Sequence, residues 1–179
     1  MLKITIPSCE HYDPVNNLFS YTKEQTLVLE HSLVSISKWE SKWRKPFLGK
    51  DGKTYEETID YIKCMTLTQN VDPLVYNGIT QSIINEVFDY IDEPMTATTF
   101  SKEKTSPSRE IITSEIIYYW MISLQIPFEC QKWHLNRLLT LIKVCSIKNA
   151  PSKKMSKRDL MSRNRALNAS RRKALNSRG

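Results

Sequence analysis

Cys130 and His134 stand four positions apart in FECQKWHLNR, residues 128 to 137. On a helix, side chains at that spacing share one face. Two chemistries use such a pair. A thiol nucleophile needs a lowered pKa, a base close by and an oxyanion hole. A helix N-terminus near Cys130 would favour the thiolate, and His134 could serve as the base. Glu129 opposes this, and no known nucleophile signature surrounds the pair. A zinc site needs four ligands. Cys9 and His11 could complete it, but neither pair has CxxC spacing and the two lie far apart in the chain. The plainer reading makes Cys130 and Cys145 small buried apolar groups and His134 a half-buried polar residue on a packed helix. His31, within the first predicted helix, reads the same way.

Other chemistry-bearing groups have similar readings. Trp39 and Trp43 sit one helical turn apart, as an aromatic platform or, more ordinarily, as core anchors. Glu56, Glu57 and Asp60, and likewise Asp89, Asp92 and Glu93, read as solvated helix faces. Residues 151 to 179 hold ten of the 26 Lys/Arg and one of the 19 acids, Asp159, so they carry +9, and with −2 on the remainder the chain's net charge is +7. Such a tail can neutralise nucleic-acid phosphates or dock on an acidic or amphipathic protein surface. It lacks the interleaved aromatics of single-strand binders.

Helices must position these groups. LKITI alternates and predicts one short strand or extended arm, and residues 7 to 21 read as loop. TKEQ at Thr22 has capping-box form and predicts a long helix from there, with Leu29, Leu33, Ile36, Trp39 and Trp43 as its stripe and Pro46 as its stop. TYEE at Thr54 predicts a second helix, carrying Ile59, Ile62 and Met65. Thr80 caps a third, with Ile83, Ile84, Val87, Phe88 and Ile91 inside and Pro94 beyond. Residues 94 to 108 are Ser/Thr-rich and read as a linker. Ser106-Pro107 predicts the start of a fourth helix, Arg109 to Leu124, apolar nearly all round, which Pro127 breaks. A fifth runs from Phe128 to Ile147. Ser156 with Asp159 marks a last cap before a basic segment, helical or disordered.

The chain's 179 residues, 40% apolar, suffice for a core without disulfides or metal. Only four glycines occur, and no dinucleotide, P-loop or nucleophile-elbow pattern is present. The N-terminal segment lacks signal-peptide character, and no run is long enough to span a membrane. An intracellular location and free thiols at Cys9, Cys64, Cys130 and Cys145 are expected. The expected fold is mainly α: a small helical bundle with at most one short N-terminal strand and a basic C-terminal helical or disordered tail.

The run YYWMISLQIPFECQKWHLNRLLTLIKVCSIKN followed by lysines and MSKRDLM resembles the C-terminal segment of siphophage tail assembly chaperones. An aromatic-rich helix (Tyr118, Tyr119, Trp120) meets a proline corner (Ile126-Pro127-Phe128). Then come a helix with Trp133, Leu138, Leu139 and Ile142, a Lys-rich stretch and Asp159-Leu160-Met161. Residues 20 to 100 look more loosely like the N-terminal chaperone part. The resemblance implies residues 1–93 as an N-terminal helical chaperone domain, 94–108 as linker, 109–150 as a C-terminal helical hairpin and 151–179 as basic tail. It implies a non-enzymatic role without cofactor or metal, in the host cytoplasm. The partners would be the tape measure protein and tail tube subunits, with self-association as a further use of apolar helix. Partner-binding residues would be Tyr118, Tyr119, Trp120, Phe128 and Trp133, with Arg163, Arg165, Arg171, Arg172 and Lys173 in the tail. The competing expectation is a nucleic-acid-binding or virion structural accessory protein that acts through residues 151 to 179.

Overall fold

Alternation decides the first element. In LKITI the side chains of Ile4 and Ile6 point inward while Lys3 and Thr5 face water, so the segment forms strand β1 (Leu2–Ile6). Its partner is not adjacent in sequence. QTLVL also alternates, burying Leu27 and Leu29, and pairs with β1 as an antiparallel strand, with Ile4 opposite Leu27 and Leu2 opposite Leu29. Between them Cys9–Asp13 and Leu18–Thr22 form a second antiparallel ribbon. In chain order these strands are β1, β2 (Cys9–Asp13), β3 (Leu18–Thr22) and β4 (Gln25–Leu29). The structure is a computed structural model that describes residues 1–13, 17–49, 51–100, 111–150 and 156–176.

These strands overturn the mainly-α expectation. Among the described residues the fold is mixed: two two-stranded antiparallel sheets and six α-helices, with 3-10 turns between. The helix expected from Thr22 is not there. The Thr22 hydroxyl donates instead to the Cys9 carbonyl, 3.1 Å away, which ties β3 to β2, and Gln25 sits opposite Ile6 in the β1–β4 ladder. A capping-box pattern is a local preference, and a strand that buries Leu27 and Leu29 outweighs it.

Helix α1 spans Leu33–Trp43 and starts at a different capping box, in which Ser32 and Ser35 exchange side-chain and backbone hydrogen bonds. It ends with Arg44 in the left-handed region, whose N–H donates to the Glu40 carbonyl at 2.7 Å. Helix α2 (Tyr55–Met65) starts at the expected Thr54/Glu57 box. The extended residues after it close the outer edge of β4: the Leu67 N–H donates to the Val28 carbonyl at 2.8 Å, and the Glu30 N–H to the Met65 carbonyl at 3.0 Å. A 3-10 turn at Pro73–Gly78 leads to α3 (Gln81–Asp92), capped by Thr80 as expected. Helix α4 is Ser114–Ser123. Its expected cap at Ser106 and start at Arg109 lie outside the described residues, and Ile111 to Thr113 precede the helix. A 3-10 turn (Phe128–Lys132) and α5 (Leu135–Asn149) replace the single fifth helix expected from Phe128.

One core joins Ile4, Ile6, Leu27 and Leu29 of the first sheet to Leu33, Ile36 and Trp39 of α1, Ile62 and Met65 of α2, Ile84 and Val87 of α3, Ile117 and Met121 of α4, and Leu135 and Leu138 of α5. Each such side chain contributes about 1.5–3 kcal/mol on burial. The acids expected on a solvated α2 face are partly inside. The Glu57 backbone carbonyl accepts the Trp39 indole N–H at 2.9 Å, and its carboxylate binds Lys45 at 2.6 Å. Asp60 accepts the Trp43 indole at 2.9 Å and pairs with Lys42. Buried carboxylates are tolerated because their acceptor sites are filled.

The chain separates into two compact units, Met1–Ser146 and Ile147–Gly179. The second contains α6 (Lys157–Leu175), capped at Ser156 and ended by Asn176 in the left-handed region. Among the described residues no helix is long and apolar enough to cross a membrane.

Candidate functional site

Cys130 and His134 do not share a helix. Pro127 opens a 3-10 turn that contains Cys130, and Trp133 then turns the backbone to an extended conformation (ψ 162°). His134 is extended too, bridging Ser32 across the molecule, and the Leu135 N–H donates to the His31 carbonyl at 2.8 Å. The one-face geometry needed for either chemistry is therefore absent. Cys130 is buried, and burial followed by the charge of Glu129 pushes its thiol pKa up, away from thiolate.

The His134 ring is fully engaged. Its Nδ1 accepts the Asn136 N–H at 3.3 Å, in the manner of an N-cap for α5, so Nε2 carries the proton and donates to the Tyr90 carbonyl at 3.1 Å. No ring nitrogen is left for a metal or for general-base work. Burial lowers its pKa, partly offset by the Tyr90 carbonyl. His31 lies with its ring centroid 5.0 Å away, edge to face. It is not in the helix but two residues ahead of α1, and its Nδ1 shares a 2.6 Å hydrogen bond with the Tyr61 hydroxyl. Burial first, then the neighbouring His134 and Lys53, pushes its pKa down to about 3. Tyr90 in turn donates to Glu30 at 2.8 Å, and burial raises the pKa of both tyrosines. The cluster ties the start of α1 to α2, α3 and α5 through hydrogen-bonded imidazoles and tyrosines, with Glu30 also paired to the N-terminal ammonium at 3.2 Å. Among the described residues no group of three or more His, Cys, Asp or Glu could hold a metal ion. All four cysteines are free, and the His11 side chain lies outside the described residues.

A different region faces outward. Helix α4 buries Ile117 and Met121, one turn apart, together with Ser114. The opposite side carries Tyr119, 66% exposed, and Ile122, 61% exposed, at i and i+3. Gln125 in the left-handed region (φ 54°) and Pro127 then turn the chain so that Phe128, 53% exposed, stands beside α4. The Tyr118 ring centroid is 6.5 Å from that of Phe128, and its hydroxyl donates to Gln131 Oε1 at 2.9 Å. Tyr118 and Phe128 thus come together and Tyr119 lies on the outer side. Trp120 and Trp133 are half-buried against the core, Trp133 under the Arg137 guanidinium at 4.1 Å. The sequence places Ile122 among the apolar residues of this helix but not among the partner-binding residues; its three-residue spacing from Tyr119 is the signal that joins them.

The β2–β3 ribbon, expected as loop, adds exposed aromatics the sequence reading missed. Tyr12 and Phe19 are cross-strand partners with ring centroids 4.9 Å apart, and Tyr21 is exposed two residues further along. Arg163, Arg165, Arg171, Arg172 and Lys173 all lie on α6, every residue of which is exposed.

Comparison with protein-family models, curated proteins and solved structures finds no match to this chain.

Proposed function

We propose that this protein is a non-catalytic assembly chaperone of the siphophage tail. It works in the host cytoplasm, covers apolar helical stretches of the tape measure protein and brings tail tube subunits to them. The observation that carries this reading is the outward apolar corner of α4 and the 3-10 turn, where Tyr119, Ile122 and Phe128 stand exposed around half-buried Tyr118. The core leaves these side chains in water although the same helix buries Ile117 and Met121. Contiguous apolar patches rimmed by polar residues mark interaction sites. An amphipathic helix with anchors at i, i+3 and i+7 is the partner such a patch fits. The resemblance of residues 109 to 162 to tail assembly chaperones supplies the client. The full occupancy of the His134 ring nitrogens supports a role without bond chemistry at that corner.

The test is co-expression with the tape measure protein of the same phage. The intact chain should raise the soluble fraction of the client several-fold. Tyr119→Ser with Ile122→Ser should abolish that gain and leave the urea midpoint unchanged, because both side chains are mostly exposed. An unchanged gain with the double variant would remove this corner as the client site. No gain with the intact chain would remove the chaperone reading.

A further inference from the structure

We infer that α6 is a duplex-DNA-binding helix that lies in the major groove. The inference does not rest on the chaperone reading; it rests on the second compact unit alone.

Helix α6 has 19 residues, and all of them are exposed. No buried face supports it, and in proteins most helical stability comes from such packing. Lys157, Arg158, Arg163, Arg165, Arg171, Arg172 and Lys173 give it seven bases against one acid. That acid, Asp159, is already used at the N-terminus: its backbone N–H donates to Ser156 Oγ at 3.1 Å, and its carboxylate accepts the Ser156 hydroxyl at 2.6 Å.

The distribution of the bases selects the partner. Arg158, Arg165 and Arg172 recur at seven-residue steps, each about 10.5 Å along the axis, and form one row. Arg163 and Arg171 lie on the other half of the helix. A flat acidic protein surface would neutralise one row and strand the rest. A groove with phosphates along both walls meets both halves. Between the bases, Ser162, Ala166, Ala169, Ser170 and Ala174 keep much of the helix slim, with Leu160, Met161 and Leu167 the larger side chains exposed among them. The B-DNA major groove, about 12 Å wide, admits a helix of that girth. Five of the seven bases are arginine, which binds phosphate and guanine edges in bidentate fashion, and Asn164 and Asn168 can pair with adenine edges. The segment contains no aromatic residue on which unpaired bases could stack.

The test uses the full chain and a fluorescein-labelled DNA duplex of about 20 base pairs and mixed sequence, followed by anisotropy from about 50 to 200 mM NaCl. Binding is expected to weaken with salt with a log–log slope steeper than about −3, since each phosphate neutralised contributes about −0.9. The triple variant R158Q/R165Q/R172Q keeps helix-forming side chains. It should weaken binding at least tenfold at about 100 mM salt and flatten the slope by about 2 to 3. The pair Leu160→Gln and Leu167→Gln should leave binding within about twofold, and DNA should raise the helical signal at 222 nm. Three outcomes would overturn the inference. These are no anisotropy change at the lowest salt, equal affinity for single-stranded DNA of the same length, and loss of binding in the leucine pair but not in the arginine triple. The last would assign α6 to an acidic, apolar-lined protein groove.

Discussion

At His31 and His134 the chain keeps two imidazoles neutral by burying them edge to face among hydrogen-bond partners. The energetic sign follows from the depressed pKa. His31 titrates near 3 when folded and near 6.5 when unfolded. Above about pH 6.5 neither state takes the proton and stability is unaffected. Below it the unfolded chain binds a proton that the folded chain refuses, so stability falls at about 1.4 kcal/mol per pH unit until the folded group titrates. His134, lowered in the same direction, adds to the slope. By pH 5 the loss from His31 alone should be about 2 kcal/mol. Urea midpoints at pH 7.5 and 5 measure it. His31→Gln should narrow the difference between the two, and an unchanged difference would mean that other groups carry the acid sensitivity.

Glu40 shows how a single side chain assembles elements. It lies in the last turns of α1 and is buried. One carboxylate oxygen accepts the Phe47 N–H at 2.8 Å, which fixes the chain after Pro46. The other accepts the Ser114 N–H at 2.8 Å, at the start of α4, where Thr113 makes no side-chain cap. A carboxylate there both fills an orphan donor and suits the positive end of the helix. Glu40→Ala leaves two buried N–H groups without an acceptor and should cost about 3 kcal/mol. Glu40→Gln keeps one carbonyl acceptor and should cost roughly half of that. Denaturant midpoints of the two variants decide it; a loss below about 0.5 kcal/mol in both would show that the α4 terminus does not depend on this residue.

For the whole molecule, charge and core are segregated. Residues 1 to 150 carry a net −2 and residues 151 to 179 carry +9. None of the residues of α6 is buried. Ending the chain at residue 150 should therefore leave the unfolding free energy of the body, measured in urea, within about 0.5 kcal/mol of its original value. The truncated protein should lose its retention on cation-exchange resin. A body that unfolds on this truncation would contradict the division at Ser146/Ile147.

Local signals were readable wherever neighbours in sequence are also neighbours in space. Thr54 with Glu57, Thr80, and Ser156 with Asp159 all cap the helices their spacing predicts, because a cap is a contact between residues two or three apart. The uneven charge was legible for the same reason. What failed depends on distant partners. TKEQ has the form of a cap, yet Gln25–Leu29 is a strand because β1, some twenty residues earlier, offers Ile4 and Leu2 for Leu27 and Leu29 to pack beside. Cys130 and His134 look like a pair by spacing, but Ser32 and His31 hold His134 in an extended bridge. Tyr119 is exposed while Trp120, its neighbour, packs on the core; hydropathy alone cannot separate them, since exposure is set by which side α4 presents to the rest of the body. Composition and short spacings establish helices, caps and charge; pairing partners, burial and the outward aromatic corner come from contacts made across the fold, whose free energy outweighs local preference.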